Sequence, residues 1–204
     1  MNWDRVILRV GALVAVLALA ATLWILGTEL TQEKTLEGPG LVSVAADQSG
    51  PFALTDHHGA PVTQQSYAGR LSLVTFGYSH CPDFCPTTLQ TMALALEALG
   101  LEGREVGGLF VSVDPERDTT EHLAGYVPHF HERITGLTGS KAQIDAAARA
   151  FRVVYAIRKD LDPLDYPVDH STFTYVMDGD WRLRAVLRHD ATPDEMAAAV
   201  RQIL

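Results

Sequence analysis

Residues 71–100 read LSLVTFGYSHCPDFCPTTLQTMALALEALG, and this stretch decides the fold. The apolar run over residues 71–78 predicts a buried β-strand. Pro86 suits the first position of an α-helix, because its missing N–H has no intrahelical partner there. Gly100 is a typical helix end. A strand that leads directly into a helix indicates the start of a βαβ unit.

The alternation of strands and helices continues downstream of this unit. The runs GLFVSV (108–113) and ITGLT (134–138) predict two further strands. Asp118 with Glu121 forms a capping-box pattern for the intervening helix, which we expect over about 119–126. Alternating strands and helices favour an α/β domain with a mainly parallel central sheet that is covered by helices.

The remaining elements are two hairpins, two helices and a loop. They are a hairpin at 51–63, a helix from Ser140 to about Phe151, a loop containing Pro163 and Pro167, a hairpin around Asp178–Asp180 and a helix from Thr192. We expect the second hairpin to add an antiparallel edge to the sheet.

Composition excludes several classes of protein. The chain has 204 residues, 47% hydrophobic and 20% charged, which is typical of a folded protein rather than a disordered one. Its net charge is −9 without a basic stripe, so nucleic acid is not an expected partner. Cys81 and Cys85 are its two cysteines, too few for a disulfide framework but suited to a single site.

The first thirty residues differ in character from the rest. Arg5 and Arg9 precede a stretch without charge that runs to Glu29. As a helix this stretch would span about 28 Å, close to the thickness of a bilayer core. We therefore predict an N-terminal transmembrane helix in residues 1–30, although Ala18–Ala20 leaves a cleaved signal peptide as the alternative.

The position of the basic residues predicts the orientation of this anchor. They keep the short N-terminus in the cytoplasm, so the remainder would lie in the periplasm of a bacterium. Residues 31–50 are polar and contain Gly38-Pro39-Gly40, which indicates a flexible tether. The folded domain is then residues 51–204.

The two cysteines lie near the predicted N-terminus of a helix. The helix dipole favours their thiolates, which both metal binding and thiol exchange require. Residues four apart on a regular helix are slightly too distant for a disulfide, although the two neighbouring prolines leave a bridge possible. The spacing favours a metal without excluding redox cycling, and two inert buried cysteines are the further alternative.

Soft thiolate ligands suit copper(I), zinc or an iron–sulfur centre. Zinc and iron–sulfur centres usually require four protein ligands, whereas copper binds with fewer. The third ligand should be an imidazole, and among eight histidines His170 lies just before a predicted core strand. Ligands in α/β sheets gather at the carboxyl ends of strands, so the His170 loop would have to fold over. We expect His80 to pack or hydrogen-bond locally, and His122 and His189 to be surface residues.

Three motifs in this order resemble the Sco/SenC family. They are Tyr78-Ser79-His80-Cys81-Pro82-Asp83-Phe84-Cys85-Pro86, Val113-Asp114-Pro115-Glu116-Arg117-Asp118 and Asp169-His170-Ser171. The resemblance covers about residues 45–204. It implies a thioredoxin-like fold, copper as the bound metal, and Cys81, Cys85 and His170 as its ligands. It also implies a role in assembling the CuA centre of cytochrome c oxidase, with the subunit that carries this centre as the partner.

Three functions follow as hypotheses. The first is a membrane-anchored copper metallochaperone, which is not an enzyme. The second is a thiol–disulfide reductase that keeps the CuA cysteines reduced with the same Cys81 and Cys85 pair and without His170. The third is a thiol peroxidase, against which the cysteine spacing and His170 argue. Asp169 is a candidate acceptor for the second ring nitrogen of His170.

Overall fold

The computed structural model describes residues 3–30, 38–42, 50–163 and 165–204. The chain divides into two compact units, Met1–Thr35 and Leu36–Leu204. Helix α1 (Trp3–Leu30) makes up the first unit. Across the described ranges, no helix combines the length and the apolar character that crossing a bilayer requires. The described residues therefore do not confirm the predicted transmembrane helix.

The second unit contains ten described β-strands. These are β1 (Leu41–Val42), β2 (Ala53–Asp56), β3 (Pro61–Thr63), β4 (Ser72–Gly77), β5 (Gly107–Ser112), β6 (Ile134–Thr138), β7 (Tyr155–Ile157), β8 (Val168–His170), β9 (Thr174–Met177) and β10 (Leu183–Leu187). Its four described α-helices are α2 (Phe84–Ala98), α3 (Thr120–Tyr126), α4 (Lys141–Ala150) and α5 (Pro193–Arg201). The α/β class predicted from the sequence is confirmed.

Eight strands form one mixed sheet in the order β1-β10-β9-β4-β5-β6-β2-β3. β4, β5 and β6 are parallel neighbours, and the other pairs are antiparallel. All six residues of β4 are buried, because this strand lies at the centre of the sheet. A strand buried along its whole length reads as a continuous apolar run, which explains why its sequence shows no alternation.

The hairpin of β9 and β10 does not form an edge, contrary to the sequence-based expectation. β9 pairs directly with β4, and its first residue Thr174 lies opposite Thr75. β1 covers the outer side of β10 through the pairing of Leu41 with Leu187. Both strands of the hairpin are almost wholly buried, and such strands belong inside a sheet.

The segment predicted as a tether therefore contains a strand of the sheet. Leu41 and Val42 lie within the predicted range of 31–50. The parts 31–37 and 43–49 of that prediction lie outside the described residues.

Aromatic side chains join β4, β9 and α4 across the core. The ring centroids of Phe76 and Phe151 are 5.3 Å apart, and those of Phe151 and Tyr175 are also 5.3 Å apart. Phe76 and Phe151 are almost completely buried. Tilted and edge-on pairs at this spacing are favourable beyond the burial of their surface. They hold β4 and β9 in register.

Two helices begin at residues other than the predicted ones. α2 begins at Phe84, two residues before Pro86. Proline is tolerated in the first turn because the first four N–H groups of a helix have no intrahelical partner. The N-cap of α3 is Thr119, whose hydroxyl accepts a hydrogen bond from the His122 N–H at 3.2 Å. Asp118 is fully buried instead and has a different role.

A two-stranded hairpin of β7 and β8 replaces the loop predicted between α4 and the last hairpin. Tyr155 pairs with His170, and Ile157 pairs with Val168. Three-residue strands carry little periodicity, so the sequence pattern missed them. The hairpin fixes the position of His170.

The cap of α3 yields a test of the fold. Thr119→Ala removes the hydroxyl that accepts from His122 N–H, so we expect a loss of about 0.5–2 kcal/mol in the free energy of unfolding. Thr120→Ala, one position inside the helix, is the matched control and should cost less. Urea denaturation of the full-length chain measures both. Equal losses would contradict Thr119 as the cap.

Candidate metal centre

Cys81 and Cys85 lie where β4 passes into α2. β4 ends at Gly77, the loop 78–83 follows, and Cys85 is the second residue of the helix. Cys85 is buried, with 4% of its surface exposed, whereas Cys81 in the loop is partly exposed. The pair therefore has one sulfur within the domain and one near its surface.

The sheet topology brings His170 to the same place. Because β9 runs antiparallel to β4, the beginning of β9 lies beside the carboxyl end of β4. His170 lies four residues before the start of β9, and its Nε2 lies 3.4 Å from Cys85 Sγ. His170 therefore lies at the carboxyl end of β4 although it precedes its own strand, and its loop does not have to fold over to reach the cysteines.

The tautomer of His170 follows from its second nitrogen. Nδ1 lies 3.0 Å from the Ser171 carbonyl oxygen, which only accepts hydrogen bonds. Nδ1 therefore carries the proton in the neutral ring, and the lone pair of Nε2 faces the Cys85 sulfur. A metal-binding histidine is commonly oriented by a partner on its other nitrogen, here a main-chain carbonyl.

Asp169 does not take the role predicted for it. Its carboxylate forms an ion pair with Arg158 at 3.0 Å and is largely exposed. Neighbouring residues of a strand point to opposite faces, so Asp169 and His170 are directed apart. Asp169 adjoins His170 in the sequence, but the strand directs its carboxylate away. The acceptor beside His170 Nδ1 is the Ser171 carbonyl oxygen instead.

The two sulfurs differ in protonation. The Cys85 side chain donates a hydrogen bond to the Cys81 sulfur, and this contact lowers the pKa of Cys81 to about 5. The Cys85 N–H, 3.5 Å from Cys81 Sγ, also stabilises the thiolate. The same side-chain contact and burial raise the pKa of Cys85. At neutral pH the pair is thus a thiolate at Cys81 and a thiol at Cys85.

Three candidate ligand atoms are linked through Cys85, whose sulfur contacts the other two. They are the Cys81 thiolate, the Cys85 sulfur and His170 Nε2. The three atoms do not all lie within 4.8 Å of one another, so a bound cation would have to draw Cys81 Sγ and His170 Nε2 together around Cys85. Two soft sulfurs and one imidazole nitrogen match copper, which accepts fewer ligands than zinc.

Two residues of the motif pack tightly around this set. A Cβ atom on Gly77 would lie 2.7 Å from Cys85 Sγ and 2.9 Å from Phe110 Cε2, so only glycine fits beside the sulfur. The ring of buried Tyr78 stands edge-on to the His170 ring at 6.0 Å between centroids. Tyr78 is thus part of the wall of the site, whereas Phe84 is about half exposed beside His189.

The Asp118 carboxylate holds the cysteine loop through hydrogen bonds, a role that the sequence analysis missed. Its buried carboxylate accepts hydrogen bonds from Ser79 N–H at 3.0 Å, from Ser112 Oγ at 2.6 Å and from Ser79 Oγ. β4 and β5 are parallel, so their carboxyl ends adjoin and bring these residues together. Asp118 lies six residues beyond the end of β5, and its capping-box pattern with Glu121 gave the sequence analysis a different explanation for it.

Asp114 and Arg117 form an ion pair that is part of a larger cluster. Arg117 Nε donates to the fully buried Asp114 carboxylate, which also accepts from Tyr166 Oη at 3.0 Å. The Arg117 guanidinium lies 3.7 Å from the centroid of the Tyr166 ring and 5.5 Å from that of Tyr78. This stack links the segment after β5 to the wall of the site.

Comparisons with known proteins show the family to which the chain belongs. The family model described as SCO1/SenC matches residues 42–204. Protein SenC of Rhodobacter capsulatus is 42% identical over 161 residues, which cover 79% of this chain and 72% of that protein. Protein sco1 of Schizosaccharomyces pombe is 38% identical over 154 residues, and the chain covers 59% of its length.

A solved structure matches the second unit. The structure of Bradyrhizobium japonicum ScoI with copper bound is 39% identical, with a TM-score of 0.70 over 76% of this chain and 99% of that one. The thioredoxin-like fold that the motifs implied is confirmed.

The protonation of the pair can be measured by the rate of alkylation. Because the thiolate reacts, the rate of Cys81 modification by iodoacetamide should fall to half near pH 5. Cys85→Ala removes the side-chain hydrogen bond that most stabilises the Cys81 thiolate. In this variant the pH at which Cys81 reacts at half its maximal rate should rise toward the ordinary thiol pKa of about 8.5. Peptide mass spectrometry locates the label. A wild-type half-point near the ordinary value would contradict the thiolate.

The close approach at Gly77 makes a second prediction. Gly77→Ala forces a Cβ atom against Cys85 and Phe110, and we expect a loss of about 1–3 kcal/mol in the free energy of unfolding. Gly125→Ala, where a Cβ atom would meet nothing within 4 Å, is the matched control and should not destabilise the helix. Urea denaturation measures both, and a Gly77→Ala protein as stable as the wild type would refute the close packing.

Proposed function

Because the chain belongs to the SCO1/SenC family, we propose that it is a copper metallochaperone for cytochrome c oxidase. Its copper ligands are Cys81, Cys85 and His170. The observation that carries the proposal is that the buried Cys85 sulfur contacts both other candidate ligands, the Cys81 thiolate and His170 Nε2 at 3.4 Å. Copper bound in the ScoI relative supports the choice of metal.

The ligand set suits a carrier of copper in either oxidation state. Two thiolates and a neutral imidazole give a net charge of −1 with Cu(I) and zero with Cu(II). Neither charge is costly at a site that is partly exposed to water. The protein can therefore hold both forms of its cargo.

The unequal exposure of the two cysteines suits release by ligand exchange. Cys81 is partly exposed, and its low pKa makes it available as a ligand at neutral pH. Cys85 is buried behind it. An incoming thiolate of a partner replaces Cys81 first, while Cys85 and His170 still hold the metal. The partner we propose is the oxidase subunit that carries the CuA site.

We also propose a location for this exchange. Arg5 and Arg9 precede a long stretch without charge, and this pattern supports a single-pass anchor in the bacterial inner membrane. The second unit, Leu36–Leu204, then works in the periplasm, where a CuA subunit would be accessible to it.

A thiol–disulfide reductase is the second candidate, and the protonation of the pair favours it. The Cys81 thiolate attacks a disulfide of the CuA subunit, which forms a mixed disulfide and releases one thiolate. Cys85 then loses its proton and attacks Cys81, which closes the Cys81–Cys85 disulfide and releases the second thiolate. A dithiol donor must afterwards reduce the pair. This reaction does not need His170.

Removing His170 separates the two candidates. His170→Ala deletes one of three copper ligands, so we expect the affinity for copper to fall at least about 10-fold in the reduced full-length chain. His189→Ala, a histidine outside the ligand set, is the matched control and should bind as the wild type does. Competition titration with Cu(I), and with Cu(II), measures the affinities.

A disulfide-reductase assay on the same variants completes the comparison. The metallochaperone hypothesis predicts weakened copper binding by His170→Ala and slow turnover in all proteins. Equal copper affinity in the two histidine variants would exclude His170 as a ligand. Fast turnover that His170→Ala leaves unchanged would favour the reductase.

A further inference from the structure

A second cluster of potential metal ligands lies beside Cys81 and takes no part in the proposed copper site. It consists of His80, Asp118 and His122, whose ligand atoms all lie within 4.8 Å of one another. His80 directly precedes Cys81 in the chain, and His122 lies in the first turn of α3. The cluster thus joins the cysteine loop to the segment after β5.

The three side chains meet at one point, which is marked by the Ser79 hydroxyl. Ser79 Oγ lies 2.8 Å from His122 Nε2 and 3.0 Å from His80 Nδ1, and it also contacts Asp118 Oδ1. His80 Nδ1 and Asp118 Oδ1 are 3.8 Å apart. Two bonds of about 2.0–2.2 Å to one ion span up to about 4.2 Å, so a metal fits between these atoms.

The carboxylate of Asp118 is already oriented for this purpose. Its Oδ2 accepts hydrogen bonds from Ser79 N–H at 3.0 Å and from Ser112 Oγ at 2.6 Å, which leaves Oδ1 directed at the two imidazoles. Asp118 is fully buried, and carboxylate ligands in metal sites are typically held by such hydrogen bonds.

The two histidines complete the site from the solvent side. Their rings are stacked at 5.1 Å between centroids with 19° between the planes, so that both present a nitrogen to Ser79 Oγ. Both residues are exposed, which gives an ion access from solvent. The site therefore has a fixed carboxylate on its buried side and is accessible to solvent on the side of the two histidines.

We propose that His80, Asp118 and His122 form a second metal site, selective for a divalent transition metal. Two imidazoles and a carboxylate are harder ligands than the thiolate pair, and such a set binds Cu(II) most tightly among the first-row divalent ions. Rotation of the Ser79 side chain away from Asp118 Oδ1 admits the ion. The proposal does not depend on copper at the thiolate pair.

The test removes the thiolates and probes the cluster with Cu(II) alone. In the full-length chain that carries Cys81→Ser and Cys85→Ser, we expect one equivalent of Cu(II) with an electron paramagnetic resonance signal typical of nitrogen and oxygen ligands. Adding His122→Ala removes an exposed ligand without disturbing the core, and the affinity should fall at least about 10-fold.

His58→Ala in the same background is the matched control. The rings of His57 and His58 are 3.9 Å apart, so this pair is the competing place for a surface-bound ion. We expect the His58→Ala protein to keep its Cu(II) equivalent. No stoichiometric binding, or an equal loss in both histidine variants, would overturn the proposal and leave the cluster as a hydrogen-bond network. Cu(I) binding by the wild type reports separately on the thiolate site.

Discussion

β4 lies between the parallel strand β5 and the antiparallel strand β9, and this position determines which segments of the chain come together at the site. β5 runs parallel to β4, so the segment that follows β5 lies beside the segment that follows β4. β9 runs antiparallel, so the segment that precedes β9 lies there too. Three parts of the chain far apart in sequence thus meet at one edge of the sheet. They bring Asp118, the cysteine loop and His170 together.

This convergence is stable because buried groups hold each segment. Phe76, Phe151 and Tyr175 fix β4 against β9. The Asp118 carboxylate holds the cysteine loop and the end of β5 through three hydrogen bonds. A buried charge is costly unless it is fully hydrogen-bonded, so the loop cannot leave Asp118 without a large penalty. The position of Cys81 is therefore set by a residue that never touches its sulfur.

The sequence predicted the elements better than their connections. The runs that became β4 and β5, and the helix starts at Ser140 and Thr192, were predicted correctly because each signal is local. The order of the strands is not local. The antiparallel pairing of β9 with β4 depends on contacts between residues about a hundred positions apart, and periodicity cannot show it.

The functional site shows the same difference between what local sequence predicts and what only the fold decides. Cys81, Cys85 and His170 were found by residue type and by family motif, and the structure brings His170 to Cys85. The roles of their neighbours were wrong where they depended on orientation, as for Asp169, which faces Arg158. Asp118 illustrates the cause, because its sequence context suits a helix cap and a buried anchor equally. Only burial distinguishes them, and burial is decided by the sheet.

The spacing of the two cysteines accounts for their unequal chemistry. With three residues between them, Cys85 falls within the first turn of α2 while Cys81 stays in the preceding loop. The free N–H of Cys85 then points back at Cys81 Sγ, as an N-cap acceptor would require. The Cys81 sulfur is stabilised as an anion first by the Cys85 side chain and then by N–H groups at the start of the helix, whereas the Cys85 sulfur is buried and keeps its proton. A shift of Cys85 by one residue would rotate its sulfur by about 100° around the helix and end this arrangement.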